Sequence, residues 1–331
     1  MQQPLFTGFR TRNMVKSAAE NIRQAEAQKQ AVENRILLQI HSIYYSAQLN
    51  ELQQRVLQTS RERLRQQLQV VKNLFVAGQA TGFDTLKMSN QLLDIQTKQA
   101  RLGHVSKVIL SQLALVLNVP SVPSVEKFSA ENLNTALPAQ SYYLKLAEKL
   151  RPEFAQFKHQ FQTQMFRKKA LQSRYFPQLF ARAGYHYARP GVNFFKDEWM
   201  KYYTIGLNLQ WELWHRGKTG RQVKQAEYSL KIIDSEAQKL RQNIRQQVIQ
   251  TYENLLSDRE QIELTRKLVL QEQKRYRMVR DKFEQGLATT IEVSDAENAL
   301  TAAQLQLQVN YINWLKDQAQ MSFVTGQIGQ D

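Results

Sequence analysis

The chain of 331 residues contains no cysteine, which excludes a disulfide framework and thiolate metal sites and suits an exported protein. No apolar run reaches roughly 18 residues, so a helical membrane span is not expected; mean hydropathy is −0.53. The opening MQQPLFTGFRTRN lacks an apolar core of signal-peptide length. There is no serine nucleophile elbow and no His-x-x-x-His. The histidines His41, His104, His159, His186 and His215 are scattered, without carboxylates at ligand spacing, and read as surface or packing residues. Gly217-Lys218-Thr219 imitates the end of a phosphate loop, but position 212 is Glu where that loop needs Gly. Nothing here calls for an enzyme, a metal or a cofactor.

Acidic charge is also scarce: 45 basic residues face 29 acidic ones, for a net charge of +16. Such a balance suits nucleic acid or anionic lipid. The charges lie along long helical patterns rather than in one block, which reads as solvated helix faces. Proline and glycine number only 7 and 12, so each place where they fall is informative.

One such place is Phe283–Val293, FEQGLATTIEV. A second copy lies 208 residues earlier at Phe75–Thr85, FVAGQATGFDT. Phe75/Phe283, Gly78/Gly286, Ala80/Ala288 and Thr81/Thr289 coincide, and Asp84 matches Glu292 in charge. In each copy Gly suits the left-handed residue that closes a helix. Thr three residues on, with an acid three further, forms a capping box opening the next helix. The pattern predicts two tight helical hairpin tips.

Around the first tip, 13–117 is one long helical hairpin. Its first arm of about 62 residues would span about 90 Å, which suggests a rod that packs against others. Ile36, Ile40, Ile43 and Ala47 fall on one face of that arm. Residues 1–12 read as the end of a strand and a turn. Residues 118–140, with Pro120, Pro123 and Pro138, are a linker. A helix follows over 141–176, restarted at Pro152. In 177–214 the period changes from 3.6 to 2, which predicts a β-hairpin. Leu179–Tyr187 and Tyr203–Leu213 alternate over about ten residues each, the length of a tilted membrane strand. Tyr203, Ile205, Leu207, Leu209 and Trp211 form the apolar, lipid-facing row, and the aromatics lie near the strand ends. From 215 to 326 the first unit recurs without a gap, with 327–331 as a tail; Ile36/Ile244, Tyr44/Tyr252, Asn90/Asn298 and Leu92/Leu300 are matched pairs. The fold class is mainly α with a small transmembrane β portion, in two tandem strand–long helix–tip–helix repeats.

The duplicated tips, the strand pair and the phrase RPEFAQFKHQFQTQMFRKKALQSRYFPQL (151–179) together resemble the TolC-like outer-membrane efflux family. The resemblance covers nearly the whole chain. It implies a homotrimer whose strands complete one barrel in the outer membrane of a Gram-negative bacterium, with a large periplasmic part. It implies a passive exit duct for efflux or type I secretion, docked to a periplasmic adaptor that links it to an inner-membrane pump. No nucleic-acid partner is implied. Adaptor docking falls on Val76, Ala77, Gly78, Gln79, Ala80 and Thr81 of the first tip. In the second tip it falls on Gln285, Gly286, Leu287, Ala288 and Thr289. The family's acidic pore constriction matches Glu292 and Asp295; the first repeat carries Asp84 and Lys87 there. Ala288 stands where some members carry a basic residue, so a salt-bridged gate is not implied. The family's leader, first helix and first strands have no counterpart here, and a start inside a longer protein is expected. The alternatives are a soluble basic coiled-coil protein that binds nucleic acid, and a periplasmic adaptor.

Overall fold

The computed structural model describes residues 1–126, 128, 136–214 and 216–329. His215, residues 127 and 129–135 of the linker and the last two residues of the tail lie outside the described residues.

The two repeats fold into helices of equal length. Strand β1 (Gln2–Phe6) leads into α1 (Arg10–Val76), and α2 (Gly82–Leu117) follows the first tip. Helices α3 (Gln140–Leu150) and α4 (Pro152–Gln172) precede strands β2 (Gln178–Ala188) and β3 (Met200–Gln210). The second copy is α5 (Lys218–Glu284) and α6 (Thr290–Thr325). Helices α1 and α5 have 67 residues each, and α2 and α6 have 36 each. No proline or glycine interrupts α1, so nothing breaks its hydrogen-bond ladder.

The helix starts differ from the expected ones for local reasons. Gly8 and Phe9 take left-handed φ of 61° and 65°, and α1 begins at Arg10 rather than 13. Arg216 and Gly217 turn the chain likewise, and α5 begins at Lys218 rather than 215. The second strand is also displaced. It occupies Met200–Gln210, so Trp211 and Leu213 follow the strand instead of belonging to it. The Trp211 indole N–H instead donates to the Tyr175 carbonyl at 3.3 Å.

By contacts the chain divides into two units, each drawn from both repeats. The first is Met1–Val32 with Arg151–Asn243. Its sheet has the order β1-β2-β3, all antiparallel. Strands β2 and β3 pair from Gln178↔Gln210 to Ala188↔Met200 without a slip. Pro4 sits in the edge strand β1, where a missing N–H is tolerated. Gly8 is required by a close approach: a Cβ there would lie 2.6 Å from the Ser173 carbonyl oxygen. Arg151 and Glu153 flank Pro152 at the start of α4 and form a bidentate pair at 2.9 and 2.8 Å. That pair gives the RPE phrase its physical meaning. His159 of α4 meets Glu20 of α1 at 2.7 Å, and Lys168 meets Glu227 of α5 at 2.8 Å.

The second unit is Glu33–Leu150 with Ile244–Asp331. Along α1, Leu57, Ser60, Leu64, Gln67 and Val71 are buried at alternating three- and four-residue steps, the seam of a coiled coil. The seam joins Met88 and Ile95 of α2, Phe283 of α5 and Val293 of α6 in one apolar cluster. Of the expected α1 face, Ala47 is buried whereas Ile36 stays exposed. Helix α2 is, against expectation, long and apolar enough to cross a membrane by length and composition. Leu86, Leu93, Val108 and Leu115 line its exposed side, the members of each pair seven positions apart.

Candidate functional site: two capped hairpin tips

Both tips close in the same way. Gly78 and Gly286 have φ of 75° and 74°, and nothing lies within 4 Å of a Cβ built on either. Glycine is therefore demanded by conformation and not by crowding. The chain reverses through Gln79 N–H donating to the Leu74 carbonyl, and Leu287 N–H to the Lys282 carbonyl, both at 2.8 Å. Each next helix then opens on a complete capping box. The Thr81 N–H donates to Asp84 Oδ2 at 2.9 Å, and the Asp84 N–H donates back to Thr81 Oγ1 at 3.3 Å. In the second tip the Thr289 N–H donates to Glu292 Oε2 at 2.7 Å, with the return bond at 3.2 Å.

These bonds to the ionised form hold both carboxyls below the ordinary range. For Asp84 the Thr81 hydroxyl is the main cause, with its N–H next; for Glu292 the Thr289 N–H leads. Thr290 of the second tip adds a smaller lowering of Asp84. Glu292 thus spends one oxygen on its helix end. Asp295, one turn on, is exposed.

Most of the expected docking residues are on the outside. Val76, Ala77, Gly78, Gln79, Thr81, Gln285, Gly286, Leu287 and Thr289 are exposed. Ala80 and Ala288 are not: both pack inward against the apolar cluster. Position 288 therefore helps to close the tip.

Both faces of β3 are open in the single chain, with Thr204, Gly206 and Asn208 exposed between the apolar residues. Tyr203, Ile205, Leu207 and Leu209 are exposed in β3, Ile205 at 90 %, and Trp211 is exposed just beyond it. Tyr185 packs on Tyr203, and Tyr187 stacks on Trp199, near one end of the hairpin.

Two groups of polar residues escaped the sequence reading. Glu297, 1 % exposed, lies two residues past Asp295 and hence on the opposite side of α6. It takes bonds from Arg63 Nε at 2.8 Å, Arg63 Nη2 at 2.9 Å, Ser60 at 2.8 Å and Thr301 at 2.9 Å. Only the polar Ser60 and Gln67 at seam positions of α1 hinted at it. The other group is Asp258 of α5 facing Asp317 of α6. Burial first, then the Asp317 charge, push the Asp258 carboxyl up to about 7, and burial raises Asp317 as well. Their meeting comes from packing, and no spacing announces it. Among the described residues no three acids or histidines stand close enough to hold a metal ion.

Long helices reversing at capped tips, with strands that expose an apolar row, define the protomer of a channel that is β in the membrane and α outside it. The family comparison agrees: residues 143–327, more than half of the chain, match the model of the outer membrane efflux protein family. The chain belongs to that family. No curated relative matches it. Among solved structures it is similar to CusC, described for its transmembrane channel formation, with 16 % identity, TM-score 0.86, and coverage of 98 % of this chain and 76 % of that one. VceC from Vibrio cholerae gives 14 % identity, TM-score 0.81 and coverage of 98 % and 78 %. MtrE of Neisseria gonorrhoeae, solved in an open state, gives 14 % identity, TM-score 0.79 and coverage of 98 % and 73 %. The fold is thus TolC-like, and the protein is an outer-membrane efflux channel component of a Gram-negative bacterium.

Proposed function

We propose that this chain is one protomer of a homotrimeric exit duct. Its tips dock a periplasmic adaptor, which links it to an inner-membrane pump, and its gate is the acidic pair Glu292 and Asp295. The observation that carries the reading is the exposed apolar row of β3. Tyr203, Ile205, Leu207 and Leu209 stand out on a strand of 11 residues, and in water that row would carry a large cost in unburied apolar area. Lipid removes that cost. Edges β1 and β3 of the sheet also need partners, since an open sheet edge does not persist in hydrocarbon. The exposed Leu86, Leu93, Val108 and Leu115 of α2 offer a stripe for a neighbouring protomer.

The chain does no chemistry in this reading. It offers a path, and the adaptor biases the path by binding an open arrangement of the tips better than a closed one. Glu292 is held ionised by Thr289, so three copies around an axis would present fixed negative charge. The test is single-channel conductance in planar bilayers. Glu292→Ala with Asp295→Ala should change conductance and cation block; an unchanged channel would reduce these acids to helix caps. For docking, bulky charged residues at Gln79 and Leu287, which leave the left-handed glycines intact, should abolish adaptor cross-linking while trimers persist. Persistent cross-linking would place docking elsewhere.

A further inference from the structure

Most of the net charge of +16 sits at one level of the molecule. Three segments border the helix-side end of the sheet: 1–19 enters α1, 160–180 leaves α4 for β2, and 213–226 leads from β3 into α5. They hold three, four and four basic residues and no acid, and Glu212 is the only acid between Met200 and Glu227. All three lie in the first unit, and contacts join them there. The Ser17 hydroxyl donates to the Thr163 carbonyl at 3.4 Å, and Arg174 donates to Gln222 at 2.7 Å. The ammonium groups of Lys16 and Lys169 lie 5.5 and 5.6 Å from the centre of one ring, that of Phe166. The bordering acids are already engaged, Glu20 by His159 and Arg23, and Glu227 by Lys168.

The helix starts sharpen the contrast. Helices α2 and α6 carry Asp84 and Glu292 in the first turn, as the helix dipole favours. Helices α1 and α5 carry no acid there and begin instead with Arg10 and Arg12, and with Lys218 and Arg221. These exposed cations stand where the helix itself disfavours them, and an anion outside the chain removes that cost. Order along the chain says where the anion lies. At each crossing exposed aromatics stand on the sheet side and basic residues on the helix side: Phe9 against Arg10, Phe176 against Arg174, Trp214 against Arg216. Aromatic rings sit at the headgroup level of a bilayer, with basic residues at the charged surface beyond them. The apolar row of β3 ends at this same border. The other end of the hairpin differs, for in 189–201 Asp197 and Glu198 accompany Arg189, Lys196 and Lys201.

We infer that this basic collar binds the phosphate headgroups of anionic phospholipids in the leaflet facing the helices. The inference rests on the duct reading above, and it gives the sheet a fixed depth in the membrane. A bilayer surface suits charges spread over three crossings, because many headgroups can meet them at once, and the collar continues the lipid-facing row.

The tryptophans report on the site. Trp211 and Trp214 lie beside the collar, Trp314 is buried, and Trp199, near the other end of the hairpin, is silenced by Trp199→Phe. With the chain reconstituted in phosphatidylcholine, quenching of this fluorescence by brominated phosphatidylglycerol is compared with quenching by brominated phosphatidylcholine. Phosphatidylglycerol should be preferred about fivefold, the worth of one basic residue at an anionic surface. Salt at about 0.5 M, which screens the charges, should cut the preference below about twofold. Arg12→Gln with Lys218→Gln and Arg221→Gln should bring it to parity, whereas Arg12→Lys with Arg221→Lys should keep it. Lys196→Gln with Lys201→Gln, at the other end of the hairpin, should leave it unchanged. A parent with no preference, or with one that salt does not touch, would overturn the collar without any substitution there. Loss of the preference to inorganic phosphate at fixed ionic strength, or to duplex DNA, would overturn the lipid as its ligand. If neither brominated lipid quenches, the chain is not embedded, and the duct reading falls together with the collar.

Discussion

The two hairpin tips are near copies, and they are packed very differently. Backbone and caps agree: φ of 75° and 74° at the glycines, and a closed Thr–acid box after each. Yet Phe283 is buried at 7 % exposure while its match Phe75 is 49 % exposed. Helix α6 buries residues along its whole length, from Thr290 to Thr325, and α2 buries only Met88, Ile95, Leu113 and Ala114. The Arg63–Glu297 ion pair is not duplicated either. The position matching Glu297 is Ser89, and the one matching Arg63 is Gln271. A repeated sequence thus repeats local structure, while the divergent residues decide which copy lies inside.

The comparison can be broken most forcefully at Glu297. Replacement by Leu alone leaves Arg63 without its partner and should cost about 3–5 kcal/mol of unfolding free energy. Ser89→Leu, at the matching place, should change little; chemical denaturation of both in detergent is the check. Phe283→Ala should cost about 3 kcal/mol and Phe75→Ala about 1 kcal/mol, because only the first leaves a cavity in a closed cluster. Equal losses would mean that a partner also covers Phe75.

Asp258 sharpens the contrast by pH. Its folded-state value is raised, so the folded form prefers the neutral acid. Stability is therefore full below about pH 4, the unfolded value, and falls as pH rises towards 7. Asp258→Asn should remove that slope and stabilise the protein at pH 8 by on the order of 3 kcal/mol, read from melting at pH 5 and 8. The matching position 50 is Asn, which already gives the first repeat an uncharged side chain there.

The glycines come next. Gly78→Ala and Gly286→Ala should each cost about 1–2 kcal/mol, and equally, since space is open at both and only the left-handed backbone objects. The smallest effect is at the caps. Thr81→Ala and Thr289→Ala should each cost about 1 kcal/mol. Asp84 and Glu292 have lowered folded values, so their contribution is full above about pH 4.5 and lost as pH falls further. Both tips should therefore fray together in acid, which hydrogen exchange at residues 81–85 and 289–293 would report.

How far the chain could be read in advance follows from the range of the forces involved. A capping box spans four residues, a left-handed glycine one, and strand alternation two, so each is written in consecutive letters. The tips, the long helices, the membrane-length hairpin and the duplication were all readable for that reason, and together they carried the family. Strand β3 was misplaced by three residues because the alternation continues through Trp211 and Leu213 after the pairing with β2 has ended at Gln210. The Glu20–His159 and Arg63–Glu297 pairs and the Asp258–Asp317 meeting depend on partners 59 or more residues away, and the inward turn of Ala80 and Ala288 depends on a cluster drawn from α1, α2, α5 and α6. Local chemistry settled where the helices reverse. Only packing, which weighs apolar burial against the desolvation of each buried charge, decided that Phe283 goes inside, that Phe75 stays out, and that Glu297 rather than Asp295 is the acid tied to the other hairpin.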